Sequence, residues 1–146
     1  MLKVLIVDDE TVVRRGIVLG VDWASMDCVV VGEAANGEEG LAAAERYNPN
    51  LIITDVRMPR MDGIEMMRRL REKESTAHFI ILTAYDEFDY ARAALRYGAA
   101  DYLLKPFRDQ DLMSAIARVR EKEGAAQPAE DTLLLPKGDK SKYVLQ

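Results

Sequence analysis

The chain has 146 residues, of which 49% are hydrophobic and 31% are charged, and this composition fits one globular domain with an apolar core and room for a short tail. The formal net charge of −5 argues against a large nucleic-acid-binding surface on this chain. The single cysteine, Cys28, excludes an internal disulfide and suits a reducing cytoplasm, and no apolar run approaches the roughly 20 residues that a membrane span needs.

Short apolar runs alternate with amphipathic stretches along the chain, and we interpret the runs as β-strands. Their residues are mostly β-branched or aliphatic, which is typical of strands that are buried on both faces of a sheet. The runs are residues 4–7, 29–31, 51–53, 79–82 and 102–104.

Turn and capping residues mark the ends of the helices between these strands. Asn36-Gly37 and Asp62-Gly63 are turn signals ahead of two helical patterns, and Asp86 and Asp109 are expected to cap the next two helices. Arg68, Arg69 and Arg71 are expected to form a solvated helix face. The residues expected to face the core are Ile64, Met67 and Leu70, then Phe88, Ala91 and Leu95, and finally Leu112, Ile116 and Val119.

The repeated alternation of strand and helix predicts parallel strands joined by right-handed crossovers. The predicted fold is therefore an α/β three-layer sandwich around a five-stranded parallel sheet, and the flavodoxin-like strand order 2-1-3-4-5 is the most economical topology. The pattern fades after residue 123. We expect one domain over residues 1–123 and a linker over residues 124–146, where proline, glycine and mixed charges replace the helical period.

Polar or charged residues follow four of the predicted strands. Asp8 and Asp9 end the first strand, Asp55 ends the third, Thr83 the fourth and Lys105 the fifth. Because the carboxyl ends of parallel strands lie at one edge of a sheet, these groups are expected to meet in one pocket beside the point where strand order reverses.

Several carboxylates in one pocket repel each other, and a hard divalent cation relieves that repulsion. Oxygen ligands with room for several waters suit Mg²⁺. A carboxylate such as Asp55 can also act as a nucleophile that forms an aspartyl phosphate. The Thr83 hydroxyl and the Lys105 ammonium are suited to hold phosphoryl oxygens. Pro106 is expected to fix the loop that positions Lys105.

Segments of the chain, in this order and at this spacing, resemble the signature segments of response-regulator receiver domains. The resemblance covers about residues 1 to 122 and is specific because all the segments occur together. The segments are DD at 8–9, DVRMPRMDG at 55–63, LTAYD at 82–86 and DYLLKP at 101–106.

The resemblance implies that Asp55 accepts a phosphoryl group from the phosphohistidine of a sensor histidine kinase. It also implies that Asp8 and Asp9 hold Mg²⁺ together with the Asp55 carboxylate and the backbone carbonyl of Arg57. On this interpretation the chain is a signalling switch and not an enzyme that turns over a substrate, although receivers catalyse their own phosphorylation and hydrolysis.

The resemblance also implies a set of switch residues. Thr83 and Lys105 would sense the phosphoryl group, Tyr102 would be the aromatic residue that turns inward, and the peptide bond between Lys105 and Pro106 would be cis. The base rate of cis bonds before proline is only about 5–6%, so this expectation comes from the resemblance alone.

Three segments, WASMD at 23–27, residues 85–107 and SKYVLQ at 141–146, are similar to receivers fused to AraC-type DNA-binding domains. This likeness implies that DNA is bound only through a C-terminal output domain that is missing from this chain. It also implies that phosphorylation makes a homodimer through the face of helix 4, strand 5 and helix 5. Candidate reciprocal ion pairs on that face involve Arg92, Arg96, Asp101, Asp111 and Arg118.

Three other functions fit parts of the pattern less well. A phosphatase with an aspartyl-phosphate intermediate would have a second aspartate two residues after Asp55, where this chain has Arg57. A flavodoxin-like cofactor binder would need a phosphate loop after the first strand, where Asp8 and Asp9 would repel a phosphate. A pseudo-receiver that only binds a partner would have lost some of these residues. His78, the only histidine, is expected at the surface, far from the pocket.

Overall fold

The protein is described by a computed structural model that covers residues 1–84 and 88–126, apart from the side chains of residues 88, 91, 125 and 126. Three of the sequence predictions fall wholly or largely outside this part of the chain. They are the helix cap at Asp86, the inward-facing side chains of Phe88 and Ala91, and the linker, of which only residues 124–126 are described and belong to the last helix.

Five strands form one sheet of order β2-β1-β3-β4-β5, and all of its strand pairs are parallel, which confirms the predicted fold class. None of the described helices is long and apolar enough to cross a membrane. The elements, with a short 3₁₀ turn at Ala24–Met26, are β1 (Leu2–Val7), α1 (Thr11–Gly20), β2 (Cys28–Ala34), α2 (Gly37–Tyr47), β3 (Leu51–Asp55), α3 (Gly63–Glu72), β4 (His78–Thr83), α4 (Phe88–Arg96), β5 (Asp101–Leu104) and α5 (Asp109–Ala126).

The core consists of two apolar clusters, one on each face of the sheet. Successive side chains of a strand point to opposite faces, so Ile6 and Leu5 of β1 belong to different clusters. The first cluster packs the sheet against α1 and α5, and the second packs it against α2, α3 and α4. β1, β3 and β4 are central and therefore almost wholly buried, whereas the edge strands β2 and β5 are partly exposed.

Side chains at the starts of the helices confirm two of the predicted caps and correct a third. Asn36 and Asp62 each accept a hydrogen bond from the backbone N–H three residues further on, at 2.9 Å and 2.7 Å. The prediction for Asp109 is wrong, because α5 begins at that residue. The carboxylate of Asp111 instead accepts the N–H of Arg108 at 3.1 Å, and this bond lowers the pKa of Asp111.

Arg71 lies partly buried, so the prediction that it belongs to a solvated face is wrong. Its guanidinium donates to the carbonyls of Ser75, Ala77 and Tyr97 at 2.8–2.9 Å, and it stacks over the ring of Phe79 at 5.0 Å. Burial lowers the pKa of Arg71. The side chain is partly buried because its acceptors lie in the connection between α3 and β4 and in the connection between α4 and β5.

The helix faces were otherwise predicted well. Met67, Leu70, Leu112, Ile116 and Val119 are buried as expected, and Ile64 is half-buried. Leu95 is the exception, because its side chain is exposed on α4. α4 packs against one face of the sheet and leaves its other side uncovered.

Gly63 brings the start of α3 against the end of β3. Its N–H donates to the Val56 carbonyl at 2.7 Å, and a Cβ added at Gly63 would lie 2.2 Å from the backbone oxygen of Asp55. No side chain fits between these two backbone segments. The absence of a side chain at Gly63 therefore sets the position of Asp55 relative to α3.

We expect Gly63→Ala to lower the free energy of unfolding by about 2–3 kcal/mol, because the new methyl group must push α3 away from β3. Gly16→Ala is a matched control, since an added Cβ at Gly16 meets nothing within 4 Å. It should raise the free energy of unfolding by about 0.5–1 kcal/mol through better helix propensity. Urea denaturation measures both, and equal effects of the two substitutions would contradict this account of Gly63.

Candidate functional site

Three aspartates meet at the carboxyl edge of the sheet. Asp8 and Asp9 follow the last residue of β1, and Asp55 is the last residue of β3, which is paired with β1. One carboxylate oxygen from each of the three lies within 4.8 Å of the others. Asp8 and Asp55 are buried, with 0% and 6% of their surface exposed, whereas Asp9 is exposed. The structure thus brings together the three carboxylates that the sequence placed in one pocket.

Lys105 reaches this cluster from the end of β5. Its ammonium nitrogen lies 3.2 Å from Asp55 Oδ2, 3.3 Å from Asp8 Oδ2 and 3.4 Å from Glu10 Oε1. The side chain is mostly shielded from solvent, with 21% exposed. A single cation therefore contacts three carboxylates and offsets part of their mutual repulsion.

The charges of this cluster shift the pKa values of its members. Burial and the negative charge of Asp8 raise the pKa of Asp55 to about 6, although Lys105 and the N–H of Val56 act in the opposite direction. Burial likewise raises the pKa of Asp8, against the N–H of Glu10 and the ammonium of Lys105. Burial would lower the pKa of Lys105, but the two buried aspartates outweigh it and the net shift is upward.

The donor set fits a hard divalent cation. Three carboxylate oxygens close together are the ligands that Mg²⁺ takes in proteins, and the exposed side of Asp9 leaves room for water ligands. A bound cation would also remove the repulsion that raises the pKa of Asp55. Arg57 lies in the loop that follows β3, and the role of its carbonyl stays a prediction.

Thr83 and Tyr102 lie on β4 and β5, the two strands beyond β3 in the sheet. Thr83 is the last residue of β4 and is fully buried, and its carbonyl accepts the N–H of Lys105 at 2.8 Å. Tyr102 is half-buried and packs against the core cluster on the α4 face. The peptide bond between Lys105 and Pro106 is cis, as expected from the resemblance.

The sequence analysis missed two charged residues close to the cluster, Arg14 and Glu33. Arg14 of α1 donates to the backbone carbonyl of Asp8 at 2.6 Å and to Glu33 of β2 at 3.0 Å. Nothing in the pattern of α1 distinguishes Arg14 from its neighbour Arg15, since the acceptor groups come from other parts of the chain.

His78 begins β4 at the opposite edge of the sheet and pairs with Glu123 at 2.8 Å, which confirms that it lies away from the pocket.

Comparison with known proteins agrees with this geometry. The family model of the response regulator receiver domain matches residues 4–117. The chain belongs to the response-regulator receiver family. Most of its first strand, its acidic cluster and its lysine lie inside the matched region.

Solved structures similar to this receiver domain include parts of two bacterial regulators. The REC domain of AraT, a response regulator from Geobacillus stearothermophilus, is 44% identical, with a TM-score of 0.82 over 86% of this chain and 98% of that chain. A two-component transcriptional regulator AraC from Clostridium phytofermentans is 31% identical, with a TM-score of 0.76 over 83% of this chain and 94% of that chain.

Curated relatives are longer than this chain. The uncharacterized transcriptional regulatory protein YesN of Bacillus subtilis is 35% identical over 119 residues, which is 82% of this chain and 32% of YesN. The transcriptional regulatory protein BtsR of Escherichia coli K12 is 37% identical over 141 residues, which is 97% of this chain and 56% of BtsR. The chain thus spans about a third of YesN and somewhat more than half of BtsR.

In EDTA, we expect Asp55→Asn to be more stable than the wild type at neutral pH. The folded pKa of Asp55, about 6, lies above its ordinary value of 3.8, so ionisation of Asp55 lowers stability. The loss of stability begins as the pH rises above 3.8, the ordinary pKa, and is complete once the pH exceeds the folded pKa of about 6. A shift of this size corresponds to about 3 kcal/mol at neutral pH.

Urea unfolding between pH 5 and pH 8 measures this difference. The increase in the free energy of unfolding that Asp55→Asn causes should be smaller at pH 5 than at pH 8, because the wild-type carboxyl is largely protonated in the folded state at pH 5. Asp9→Asn is the matched control at an exposed carboxylate and should give a smaller gain. A gain for Asp55→Asn that does not change with pH would contradict the proposed cause.

Proposed function

We propose that this receiver domain accepts a phosphoryl group on Asp55 from a sensor histidine kinase, with Mg²⁺ as cofactor, in the cytoplasm. The observation that supports this most directly is the position of the Asp55 carboxylate. It lies at the carboxyl edge of the sheet, beside two other aspartates and 3.2 Å from the ammonium of Lys105. A carboxylate that could act as a nucleophile, two further carboxylates that could bind a metal ion and a cation that could hold phosphoryl oxygens thus lie close together.

Each residue has a distinct part in the transfer. Asp8, Asp9, Asp55 and the Arg57 carbonyl would hold Mg²⁺, which when bound supplies positive charge against the phosphoryl oxygens. A carboxylate oxygen of Asp55 forms the new bond to phosphorus while the bond from phosphorus to the histidine nitrogen of the kinase breaks. The electron pair of that bond stays on the imidazole, which takes up a proton. Lys105 neutralises part of the charge on the transferred group.

Phosphorylation would then change the surface through Thr83, Lys105 and Tyr102. The Thr83 hydroxyl and the Lys105 ammonium would move to the phosphoryl oxygens, and Tyr102 would turn into the space that Thr83 leaves. Such a switch needs two states that differ in affinity for the phosphoryl group. The half-buried position of Tyr102, on the strand paired with the one that carries the buried Thr83, supports this proposal because a small rotation would change its exposure.

The proposed output is an AraC-type DNA-binding domain that follows the receiver, with residues 1–123 as the receiver unit and residues 124–146 as linker and start of that domain. Support comes from the relatives of this chain. YesN and BtsR are transcriptional regulatory proteins, and one structural neighbour is a two-component transcriptional regulator AraC. DNA would be bound through the output domain and not through this chain.

Phosphoryl acceptance is tested with acetyl phosphate and with beryllofluoride, which mimics phosphate on Asp55. We expect a Mg²⁺-dependent gain of one phosphoryl group by mass spectrometry in the wild type, and none in Asp55→Asn, which keeps the size of the side chain. Beryllofluoride binding should likewise require both Mg²⁺ and Asp55. A folded wild-type protein that shows neither reaction would favour the pseudo-receiver, a module that only binds a partner.

We also propose that phosphorylation produces a homodimer through α4, β5 and α5. This face carries exposed apolar side chains, Tyr90, Leu95 and Leu104, and charged residues of both signs. Within one chain, Arg118 already pairs with Asp101, so reciprocal pairs between two copies would exchange the partners of an existing ion pair. Asp111 likewise pairs with Arg108 inside the chain.

Arg118→Glu and Asp101→Arg should each weaken the dimer formed with beryllofluoride, since each homodimer would place like charges opposite each other. A mixture of the two variants should form a heterodimer, because both reciprocal pairs are restored only between unlike copies. Light scattering and native mass spectrometry separate these species. An Arg118→Glu variant that dimerises as well as the wild type would contradict the reciprocal pairs.

A further inference from the structure

Arg14 connects α1 to the main chain of the acidic cluster. One terminal nitrogen of its guanidinium donates to the carbonyl oxygen of Asp8 at 2.6 Å, and Nε donates to Glu33 at 3.0 Å. Only 14% of the Arg14 side chain is exposed. The guanidinium therefore spans from the end of β1 to the end of β2, directly behind the turn that carries Asp8 and Asp9.

Asp8 is held at every polar atom by a different partner. Its N–H donates to the Ala34 carbonyl at 3.0 Å, and its Oδ1 accepts the N–H of Glu10 at 2.9 Å. Its Oδ2 faces the ammonium of Lys105 at 3.3 Å. The carbonyl that Arg14 holds is the remaining polar group, so its bond fixes the peptide plane between Asp8 and Asp9.

We propose that Arg14 is a positioning residue for the divalent-cation site. Its bond to the Asp8 carbonyl sets the direction in which the turn presents the carboxylates of Asp8 and Asp9 toward Asp55. This role rests on the proposed function, since it concerns the affinity of the same site for Mg²⁺. Residues that orient ligands in this way typically change metal affinity by about 10- to 100-fold when they are replaced.

The chemistry of the contact suits this role. A guanidinium bonded to the Asp8 carboxylate would compete with the metal, whereas Arg14 donates to the main-chain oxygen and leaves the carboxylate available. The negative charge of Glu33 offsets part of the charge of Arg14, which reduces the effect of Arg14 on the negative potential of the cluster.

Arg15 provides a matched control. It also pairs with Glu33, but its side chain is 47% exposed, and no contact of Arg15 with Asp8 is present in the described part of the chain. Arg14→Gln and Arg15→Gln therefore remove the same charge and a contact to the same carboxylate. Only Arg14→Gln removes the bond to the Asp8 carbonyl.

The experiment is a Mg²⁺ titration without any phosphodonor, followed through the backbone amide signals of the cluster by NMR. We expect Arg14→Gln to weaken Mg²⁺ binding about tenfold, and Arg15→Gln to change it by less than about twofold. Thermal unfolding in EDTA is recorded in parallel. A purely structural role would lower the melting temperature and leave the Mg²⁺ affinity of the folded protein unchanged.

Phosphorylation by acetyl phosphate gives a second readout. In Arg14→Gln the Mg²⁺ concentration for half-maximal rate should rise about as much as the dissociation constant, with the rate at saturating Mg²⁺ preserved. Arg14→Lys keeps the charge but lacks the two-pronged donor, so it should bind Mg²⁺ several-fold more weakly than wild type. Arg14→Lys serves as the test if Arg14→Gln does not fold.

The outcomes separate the two proposals. If the wild type binds no Mg²⁺, the proposed function itself fails. If the wild type binds Mg²⁺ and the Arg14 variants bind it as tightly as Arg15→Gln does, the positioning role of Arg14 is wrong and the proposed function stands.

Discussion

The ammonium of Lys105 contacts the carboxylates of Asp8 and Asp55 at the carboxyl edge of the sheet. Lys105 stands at the end of β5, and β4 lies between β5 and β3 in the strand order. The lysine therefore reaches Asp55 across the end of β4, where the residue is the short, buried Thr83. A longer side chain at that position would stand in the path between the cation and the aspartate. Lys105 thus joins the end of β5 to the ends of β1 and β3.

The same contact explains why the fold tolerates two buried carboxylates. Burial of a charge is unfavourable unless a partner is close, and here burial is the largest cause of the raised pKa of both Asp8 and Asp55. The central strands otherwise consist mostly of closely packed apolar residues. The cluster is therefore the place where the sequence departs from the rules of a stable core, as functional sites commonly do.

Much of the fold and of the site could be predicted from the sequence because both depend on local patterns. The strand runs and the caps at Asn36 and Asp62 are visible in short windows, and the parallel topology brings the strand ends together. Arg14 and Arg71 could not be predicted in the same way. Their acceptors are carbonyls and carboxylates that only the tertiary fold brings near. The local sequence around each arginine shows only the pattern of an ordinary charged helix face. The helical spacing alone predicts that Leu95 faces the core. The prediction fails because only one side of α4 packs against the sheet, and Leu95 lies on its exposed side.

Arg71 has a consequence for how α4 can move. Its guanidinium joins the carbonyl of Tyr97, just beyond α4, to the carbonyls of Ser75 and Ala77 ahead of β4. The C-terminal end of α4 is thereby fastened to the body of the domain. Displacement of α4 then takes the form of a tilt about that end, and it grows along the helix. For a helix of 9 residues, a tilt of about 10° moves the far end by about 2 Å. The end of α4 that moves most is therefore its N-terminal end, which lies toward the carboxyl edge of the sheet.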